Sequence, residues 1–325
     1  MLSGCWKAIA LSLALMFAAF VCTAQPGPDP PTYMETRAVL NGLASSGQFT
    51  ALQDKLAQVA ASDDLFANGS DTAELVQSVL RMIRNPGYSA TGPDGILERW
   101  RAAFPRSGFI AIADAIVLQD AAKAVRGRAP AHLIPPESHE LFALKLRQAD
   151  GVLMGAPQAV KDTAVWHLVR LQVLCDLRDE QAHAVFDAAM QRWSRHVGFY
   201  RTVVDLLMPE EGGSWAAVQA FIENADHRNA ASGGAALYAQ LYAYVRHHVA
   251  TGQLALNWPR MKQGYADWMR GDPNPMIANI YASFACFAKD KPAYEEAMRL
   301  VGDEIVAGQW LTGHGPAACQ RWAAN

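Results

Sequence analysis

The chain has 325 residues, with 28 Lys and Arg against 31 Asp and Glu, and a formal net charge of −3. It carries no basic tail or cluster, which argues against nucleic acids and anionic membrane surfaces as principal partners. A hydrophobic content of 51% is ordinary for a packed globular protein, and a chain of this length can form one large core or two small ones.

The first 24 residues have the organisation of an export signal. A basic residue precedes an apolar run over residues 8–21, and residues 22–24 place small side chains where a signal peptidase cuts. The run is shorter than the about 20 apolar residues that a transmembrane helix needs. We therefore expect cleavage between Ala24 and Gln25 and a periplasmic or secreted location. An uncleaved anchor and a lipid on Cys22 are the alternatives.

A proline-rich linker, residues 25–32, follows the signal. Four prolines within Gln25 to Pro31 cannot continue a helix and favour an extended tether. Loss of the signal removes only Lys7, so 27 basic residues face 31 acidic ones and the mature charge is −4. The predicted organisation is a signal peptide over 1–24, this linker, and a helical-repeat domain over 33–325.

The remaining chain repeats apolar residues at intervals of three and four, which is typical of amphipathic helices. Leu75, Val79 and Ile83 form one such stripe. It follows Asp71, which can cap a helix together with Glu74 three residues later. No segment alternates with the period of two that a strand requires. The sequence therefore predicts an all-α fold.

Helix pairs joined by short Gly- and Pro-containing links recur along the chain. Trp100, Trp193 and Trp268 each stand near a predicted helix end, before a break and a strongly apolar helix. This recurrence favours degenerate helix-pair repeats, and the uneven spacing argues against a strictly regular array. An irregular helical domain is the alternative.

Short motifs distributed over most of the mature chain carry a family resemblance. They are GQFTALQDKLAQVA, the tryptophan of ERWRAAFPRS, AKAVRGRA, the PEEGGS corner, and the closing ASFACFAKDKPAYEEAMRLVGDEIV followed by Trp and Cys. Together they resemble the bacterial domain of unknown function 4034 family. The resemblance implies irregular tetratricopeptide-like helix-pair repeats, stacked as a right-handed α-solenoid, in an exported or envelope protein. It supplies no catalytic residues. The corner departs from the family pattern because Glu210 and Glu211 stand where an aromatic often precedes the glycines, and Trp215 follows the serine.

The corner between two predicted helices consists of Pro209, Glu210, Glu211, Gly212, Gly213, Ser214 and Trp215. The two glycines permit a tight turn, and Ser214 can cap the second helix. We expect Trp215 to be buried with that helix. Glu210 and Glu211 are adjacent, so they would not converge on one atom as a general acid and base do. A structural corner is therefore favoured over an active site.

Other motifs give weak signals for chemistry. Neighbouring residues on a helix point about 100° apart, so His247 and His248 would not easily share one metal ion. We expect neither a metal nor a cofactor. Tyr238 and Tyr242 belong to an aromatic-rich region that is consistent with a groove for a peptide or sugar, but their one-turn spacing favours core packing.

Three cysteines remain in the mature chain, and an exported setting favours one bridge and one free thiol. Cys286 lies near the end of one predicted helix, and a second helix over Pro292–Ala307 should run back along it. A non-helical tail over Gly308–Cys319 is long enough to return. With the likeness to the family's closing cysteine and tryptophan, this favours a Cys286–Cys319 disulfide and a reduced Cys175. Three unrelated buried thiols are the alternative.

Two functions are compatible with these features. The first is a non-catalytic protein- or peptide-binding module of the cell envelope. The second is a periplasmic or secreted all-α hydrolase that uses carboxylates such as Asp205, Glu210, Glu211 or Asp267. The lack of any catalytic spacing among these residues favours the binding module.

Overall fold

The three-and-four periodicity forms helices wherever the chain is described. The computed structural model describes residues 31–84, 95–127, 134–230, 233–270 and 273–325. The predicted signal peptide, its cleavage site and most of the linker lie outside these ranges. The α-helices within them are α1 Tyr33–Ser45, α2 Phe49–Ala60, α3 Thr72–Arg84, α4 Ile96–Ala103, α5 Gly108–Arg126, α6 Pro136–Met154, α7 Gln158–Lys161, α8 Ala164–Leu177, α9 Gln181–Arg192, α10 Val197–Leu207, α11 Trp215–Arg228, α12 Gly234–Tyr244, α13 Arg246–Ala250, α14 Trp258–Trp268, α15 Pro275–Phe287, α16 Lys291–Val301 and α17 Pro316–Ala324.

The all-α prediction is confirmed for the described residues. The β-type pairing found among them is an isolated antiparallel bridge between Leu65 and Asp71. In the same ranges, no helix combines the length and apolarity needed to cross a bilayer. Residues Thr32–Asn325 form one compact unit.

Several helices begin where their capping residues predict. The carboxylate of Asp71 accepts a hydrogen bond from the Glu74 amide at 2.7 Å, which caps α3. The hydroxyl of Ser214 caps α11 in the same way. Asn274 caps α15, whose first residue is Pro275, a position where the missing amide proton costs nothing. These three caps are fixed by local sequence alone.

The middle of the unit is a succession of packed helices. Helices α3, α5, α8, α10 and α12 make contact in series, and α6, α9, α11 and α14 pack against members of that series. Large side chains between them are fully buried, including Trp100, Tyr242 and Tyr265. Most of these contacts join helices that are close in sequence, and α3 also packs directly on α8.

The segment over residues 61–71 makes contacts of a different kind. Trp193 donates from Nε1 to an Asp63 carboxylate oxygen at 2.7 Å. Trp268 donates from Nε1 to the Asn68 carbonyl at 2.7 Å, across 200 positions of sequence. In a regular repeat array each unit contacts only its neighbours. This segment therefore adds a long-range connection between the first helices and α9, α10 and α14.

The C-terminal region differs from the prediction at two boundaries. Helix α16 ends at Val301 rather than Ala307, because Gly302 follows it with a positive φ of 55° that breaks the helix. The tail predicted to be non-helical forms α17 from Pro316 onward, so Cys319 is helical. Proline is favourable as a first helical residue, and the glycines before it hid this start in the sequence.

The Cys286–Cys319 pairing predicted from the sequence is present in the structure. The Cα atoms of the two residues lie 5.7 Å apart, and their sulfurs are at disulfide distance. Cys175 is a free, buried thiol. Trp322 packs edge-on against Tyr294, with ring centroids 5.7 Å apart, so the last helix covers part of α16.

Two buried polar residues of α15 hold the chain that leads to α17. The side-chain oxygen of Asn279 accepts from the Val306 amide at 2.9 Å and from the Trp310 ring nitrogen at 3.0 Å. Ser283, one turn later, accepts from the Leu311 amide at 2.7 Å. The disulfide thus closes a tail that is already attached along α15.

We predict that Cys319→Ala lowers the free energy of unfolding by about 3 to 4 kcal/mol, because the bridge closes a loop of 33 residues in the unfolded chain. Urea unfolding under non-reducing conditions measures this. Cys175→Ala is the control. It should keep the bridge and remain sensitive to a dithiol reductant, whereas Cys319→Ala should not respond. A wild-type protein whose stability is unchanged by the reductant would contradict the prediction.

We predict that Gly264→Ala destabilises the protein by about 1 to 3 kcal/mol, through overpacking where α14 crosses α12. A methyl group at Gly264 would overlap the Ala235 carbonyl oxygen and lie 2.8 Å from the Ala239 side chain. Gly151→Ala, within α6, is the matched control because no atom lies within 4 Å of its added methyl group. It should be neutral or stabilising by up to about 1 kcal/mol. If thermal unfolding shows the same change in stability for Gly264→Ala and Gly151→Ala, the explanation by overpacking is wrong.

Candidate functional site

Polar and charged side chains from α3, α5, α8 and its C-cap, α10, α12 and the corner form three groups that we call the polar strip. The first group is Arg81, Arg84, Gln119, Asp120, Lys123 and Asp176. The second is Glu74, Arg201, Asp205 and Tyr244. The third is Arg126, Arg178 and Glu211. All three remain partly accessible to solvent.

The first group joins α3, α5 and α8 through their side chains. Arg81 and Arg84 of α3 both donate to the Asp120 carboxylate. Gln119, which is fully buried, donates from Nε2 to the Asp176 carboxylate at 2.8 Å. Lys123 pairs with the same carboxylate at 3.1 Å. Ion pairs at this level of exposure contribute about 0 to 1 kcal/mol each, so the group does more to set side-chain positions than to stabilise the fold.

The second group lies where α3, α10 and α12 meet. Arg201 donates from an Nη atom to Glu74 at 2.9 Å, and its guanidinium carbon lies 5.4 Å from the centre of the Tyr244 ring. The Tyr244 hydroxyl donates to Asp205 at 2.6 Å. The four side chains therefore form one chain of contacts from α3 to α12.

The second group is crowded by protein although solvent reaches it. Burial raises the pKa of Glu74, and the Arg201 guanidinium opposes that rise. Burial also raises the pKa of Asp205, against the effect of the Tyr244 hydrogen bond. The pKa of the Tyr244 phenol is raised by burial and by the Asp205 carboxylate. Perturbed pKa values are frequent at functional sites, so we take the surface formed by these four side chains as the candidate and call it the recess.

A buried carboxylate beneath this recess sets its geometry. Asp71 accepts from the amide of Glu74 and, at 3.1 Å, from the amide of Gly198, so it ties the start of α3 to the start of α10. A methyl group at Gly198 would lie 2.9 Å from the Glu74 side chain, so glycine permits the close approach. Burial raises the pKa of Asp71, and its amide hydrogen bonds oppose the rise. Arg201 meets Glu74 because this joint aligns the two helices.

The third group involves the predicted corner. Glu211 pairs with Arg126 at 3.4 Å and with Arg178 at 3.3 Å, so it holds the corner against α5 and α8. Gly212 takes a positive φ of 86°, which is the tight turn expected of it. A side chain on Gly213 would overlap the Leu207 carbonyl oxygen. The residues thus form a structural corner.

The environment of Trp215 differs from the expectation of full burial. The ring is half-buried and packs on His248, with ring centroids 4.1 Å apart. It lies at the first position of α11, where a side chain has core on one side only. Truncating Trp215 should therefore cost less than the about 3 to 5 kcal/mol that removal of a core tryptophan costs.

The four carboxylates proposed for a hydrolase do not share a contact. Asp205 bonds Tyr244, and Glu211 bonds two arginines. Asp267, on α14, pairs with Arg270, and Glu210 is exposed on the corner. Of the four, Asp205 is the one inside the recess. Glu74 and Arg201, which complete it together with Tyr244, were not predicted as site residues.

The histidine and aromatic candidates have ordinary packing roles. His247 lies 3.0 Å from the Thr312 hydroxyl, whereas His248 stacks on Trp215, so the two rings face different neighbours. Tyr238 and Tyr242 are buried, with ring centroids 4.5 Å apart. Within the described ranges, no three His, Cys, Asp or Glu side chains are grouped as metal ligands.

A shallow pocket of about 390 Å³ lies away from the strip. It is lined by Glu223, Asp226, His227, Tyr238, Asn257 and Arg260. Its most buried charge, Asp226, already pairs with Arg260, which donates to both carboxylate oxygens. We therefore place the candidate site on the polar strip, at the recess around Arg201 and Tyr244.

We predict that His196→Gln weakens the dependence of stability on acid. His196 is buried, its Nε2–H donates to the Asp63 carbonyl at 3.2 Å, and burial lowers its pKa. The unfolded chain therefore binds a proton more readily, and stability is lost as the pH falls below the ordinary histidine pKa of about 6.5. Each unit by which folding lowers the pKa of His196 reduces the free energy of unfolding by about 1.4 kcal/mol once the pH is below both pKa values.

Urea unfolding of wild type and variant between pH 7.5 and pH 5.5 measures the difference. Subtracting the variant removes the contributions of His167, whose pKa is also lowered by burial, and of Asp205, whose pKa is raised by burial and which acts with the opposite sign. His183→Gln, at an exposed position of α9, is the control. Parallel pH profiles for wild type and His196→Gln would refute the prediction.

Comparison of the chain with protein-family models, curated proteins and solved structures finds no match. Functional inference therefore depends on the geometry of the polar strip.

Proposed function

We propose that the mature chain is an exported, non-catalytic helical protein that binds a protein or peptide partner in the cell envelope. The surface that we assign to binding is the polar strip. Export would follow from a signal peptide over residues 1–24, with cleavage at Ala24. The location would be periplasmic or secreted.

The observation that carries this proposal is the run of partly exposed polar contacts across five helices. Arg81 on α3 and Tyr244 on α12 are each 38% exposed. Arg81 pairs with Asp120, and Tyr244 donates to Asp205. Pre-positioned polar groups and an accessible aromatic ring suit recognition of a polypeptide, since little side-chain freedom is lost on binding.

The repeat architecture and the family are part of the same proposal. The serial contact of α3, α5, α8, α10 and α12 supports a tetratricopeptide-like stack, in which one face of successive helices forms an extended binding surface. Membership of the domain of unknown function 4034 family is supported by the motifs quoted above. The contacts of residues 61–71 would be an addition to such a stack.

A hydrolase is the second candidate, and one observation favours it. Asp205 and Glu74 are two carboxylates in one recess, and burial raises the pKa of both. A carboxyl group with a raised pKa can act as a general acid near neutral pH. Asp205→Asn would abolish such a reaction, whereas a binding module would show no turnover to lose.

Site-specific photocrosslinking in cells tests the binding proposal. A photoreactive phenylalanine analogue replaces Lys123, whose side chain is 52% exposed and whose partner Asp176 keeps its bond to Gln119. We expect one discrete adduct, with the same partner segment identified in repeated experiments. Lys291, an exposed residue of α16, is the control position and should give none. Adducts that are absent, or identical at both positions, would rule out the strip as the binding surface.

A further inference from the structure

We propose that the recess between Asp205 and Tyr244 binds a lysine or arginine side chain of the partner polypeptide. The inference rests on the proposed binding function and specifies what the polar strip recognises. The occupant is a basic side chain presented by a partner segment.

Asp205 makes no ion pair with a described residue. Arg201 is paired with Glu74, and Lys123 is paired with Asp176. The contact that Asp205 makes among the described residues is with the Tyr244 hydroxyl. A cation brought by a ligand can therefore pair with Asp205 without displacing an existing ion pair.

One oxygen of the Asp205 carboxylate accepts no hydrogen bond from a described residue. The Tyr244 hydroxyl bonds Oδ1 of Asp205, which fixes the carboxylate, and the structure shows no bond to Oδ2 from the part of the chain it describes. A carboxylate held on one oxygen and open on the other can accept an ammonium or guanidinium donor at little cost in side-chain freedom. Asp205 itself is exposed, so a ligand can reach it.

The aromatic ring of Tyr244 lies beside the Asp205 carboxylate. Tyr244 is 38% exposed and already has the Arg201 guanidinium 5.4 Å from its centre, so its electron-rich face tolerates a cation in this structure. The methylene stem of a lysine or arginine can cover the remaining ring surface while its charged end reaches Asp205. A carboxylate and an aromatic ring together favour a basic side chain over a neutral or acidic one.

The overall charge of the protein agrees with this choice. The mature chain carries a net charge of −4, which favours encounter with basic segments. Burial around Asp205 also strengthens a contact made there, because the local environment screens charge less than bulk water does. An acidic ligand group would instead be repelled by Asp205.

Peptide pools with a fixed central residue test the inference. The pools are fluorescently labelled, have randomised flanks, and differ only in carrying lysine, arginine, norleucine or glutamate at the centre. Anisotropy with the mature chain should show at least about tenfold tighter binding of the lysine and arginine pools than of the norleucine pool. Asp205→Asn should remove that preference. It keeps the acceptor for Tyr244, so the fold should persist.

Asp267→Asn, in an ion pair on α14, is the matched control and should keep the preference. As a second readout, Nα-acetyl-lysine amide should lower the pKa of the Asp205 carboxyl in a carbon-13 titration, and Nα-acetyl-norleucine amide should not. Binding that ignores the central residue, or that survives unchanged in Asp205→Asn, overturns the basic-side-chain site. The photocrosslinking result at Lys123 decides the proposed function separately, because it requires no particular charge on the partner.

Discussion

The carboxylate of Asp71 connects helices α3 and α10, and the candidate site depends on this connection. It accepts amide hydrogen bonds at the starts of both α3 and α10, and it does so without contact with water. A carboxylate near a helix N-terminus is stabilised by the aligned peptide dipoles, and here two N-termini share one carboxylate. The two helices are thereby held in a fixed register, and Glu74 on one faces Arg201 on the other. The contact between Glu74 and Arg201 follows from that register, and the packing of α12 on α10 adds Tyr244.

The strip shows how modest interactions can define a surface. Its ion pairs are individually weak at their degree of exposure, and none decides the fold. Together they hold arginine, carboxylate and amide groups in set directions across five helices. Asp205 is distinct among them because a hydroxyl, not a cation, occupies its bonded oxygen. The same surface is thus ordered along most of its length and chemically open at one place.

Local sequence specified much of the fold and little of the site. The caps at Asp71, Ser214 and Asn274 are interactions over two or three positions, so the local sequence predicts them. The meeting of Glu74 with Arg201 spans 127 positions, and no periodicity contains it. The start of α17 was hidden because glycines before Pro316 dominate the local composition.

The disulfide and the corner also show that contacts between residues distant in sequence are harder to predict than local ones. Pairing of Cys286 with Cys319 was predictable because few cysteines were available, an exported setting favours a bridge, and the closing motif resembles a family pattern. The predicted end of α16 and the predicted non-helical tail were both wrong. The half-burial of Trp215 was not, since a first-turn side chain can face either the core or the rim, and the choice depends on where His248 lies. Asp205 was predicted as one of several carboxylates that a hydrolase could use. Its contact with Tyr244, which lies 39 positions away on another helix, was not predicted.

The contacts of residues 61–71 have a consequence for the order of assembly. A chain made and delivered from its N-terminus presents Asn68 long before Trp268, which lies 200 positions later. Asp63 can meet Trp193 and His196 as soon as α9 and the start of α10 are present. The Asn68 carbonyl must wait for α14. A chain truncated before Trp268 would therefore keep the earlier contacts of this segment and lack the one to Asn68.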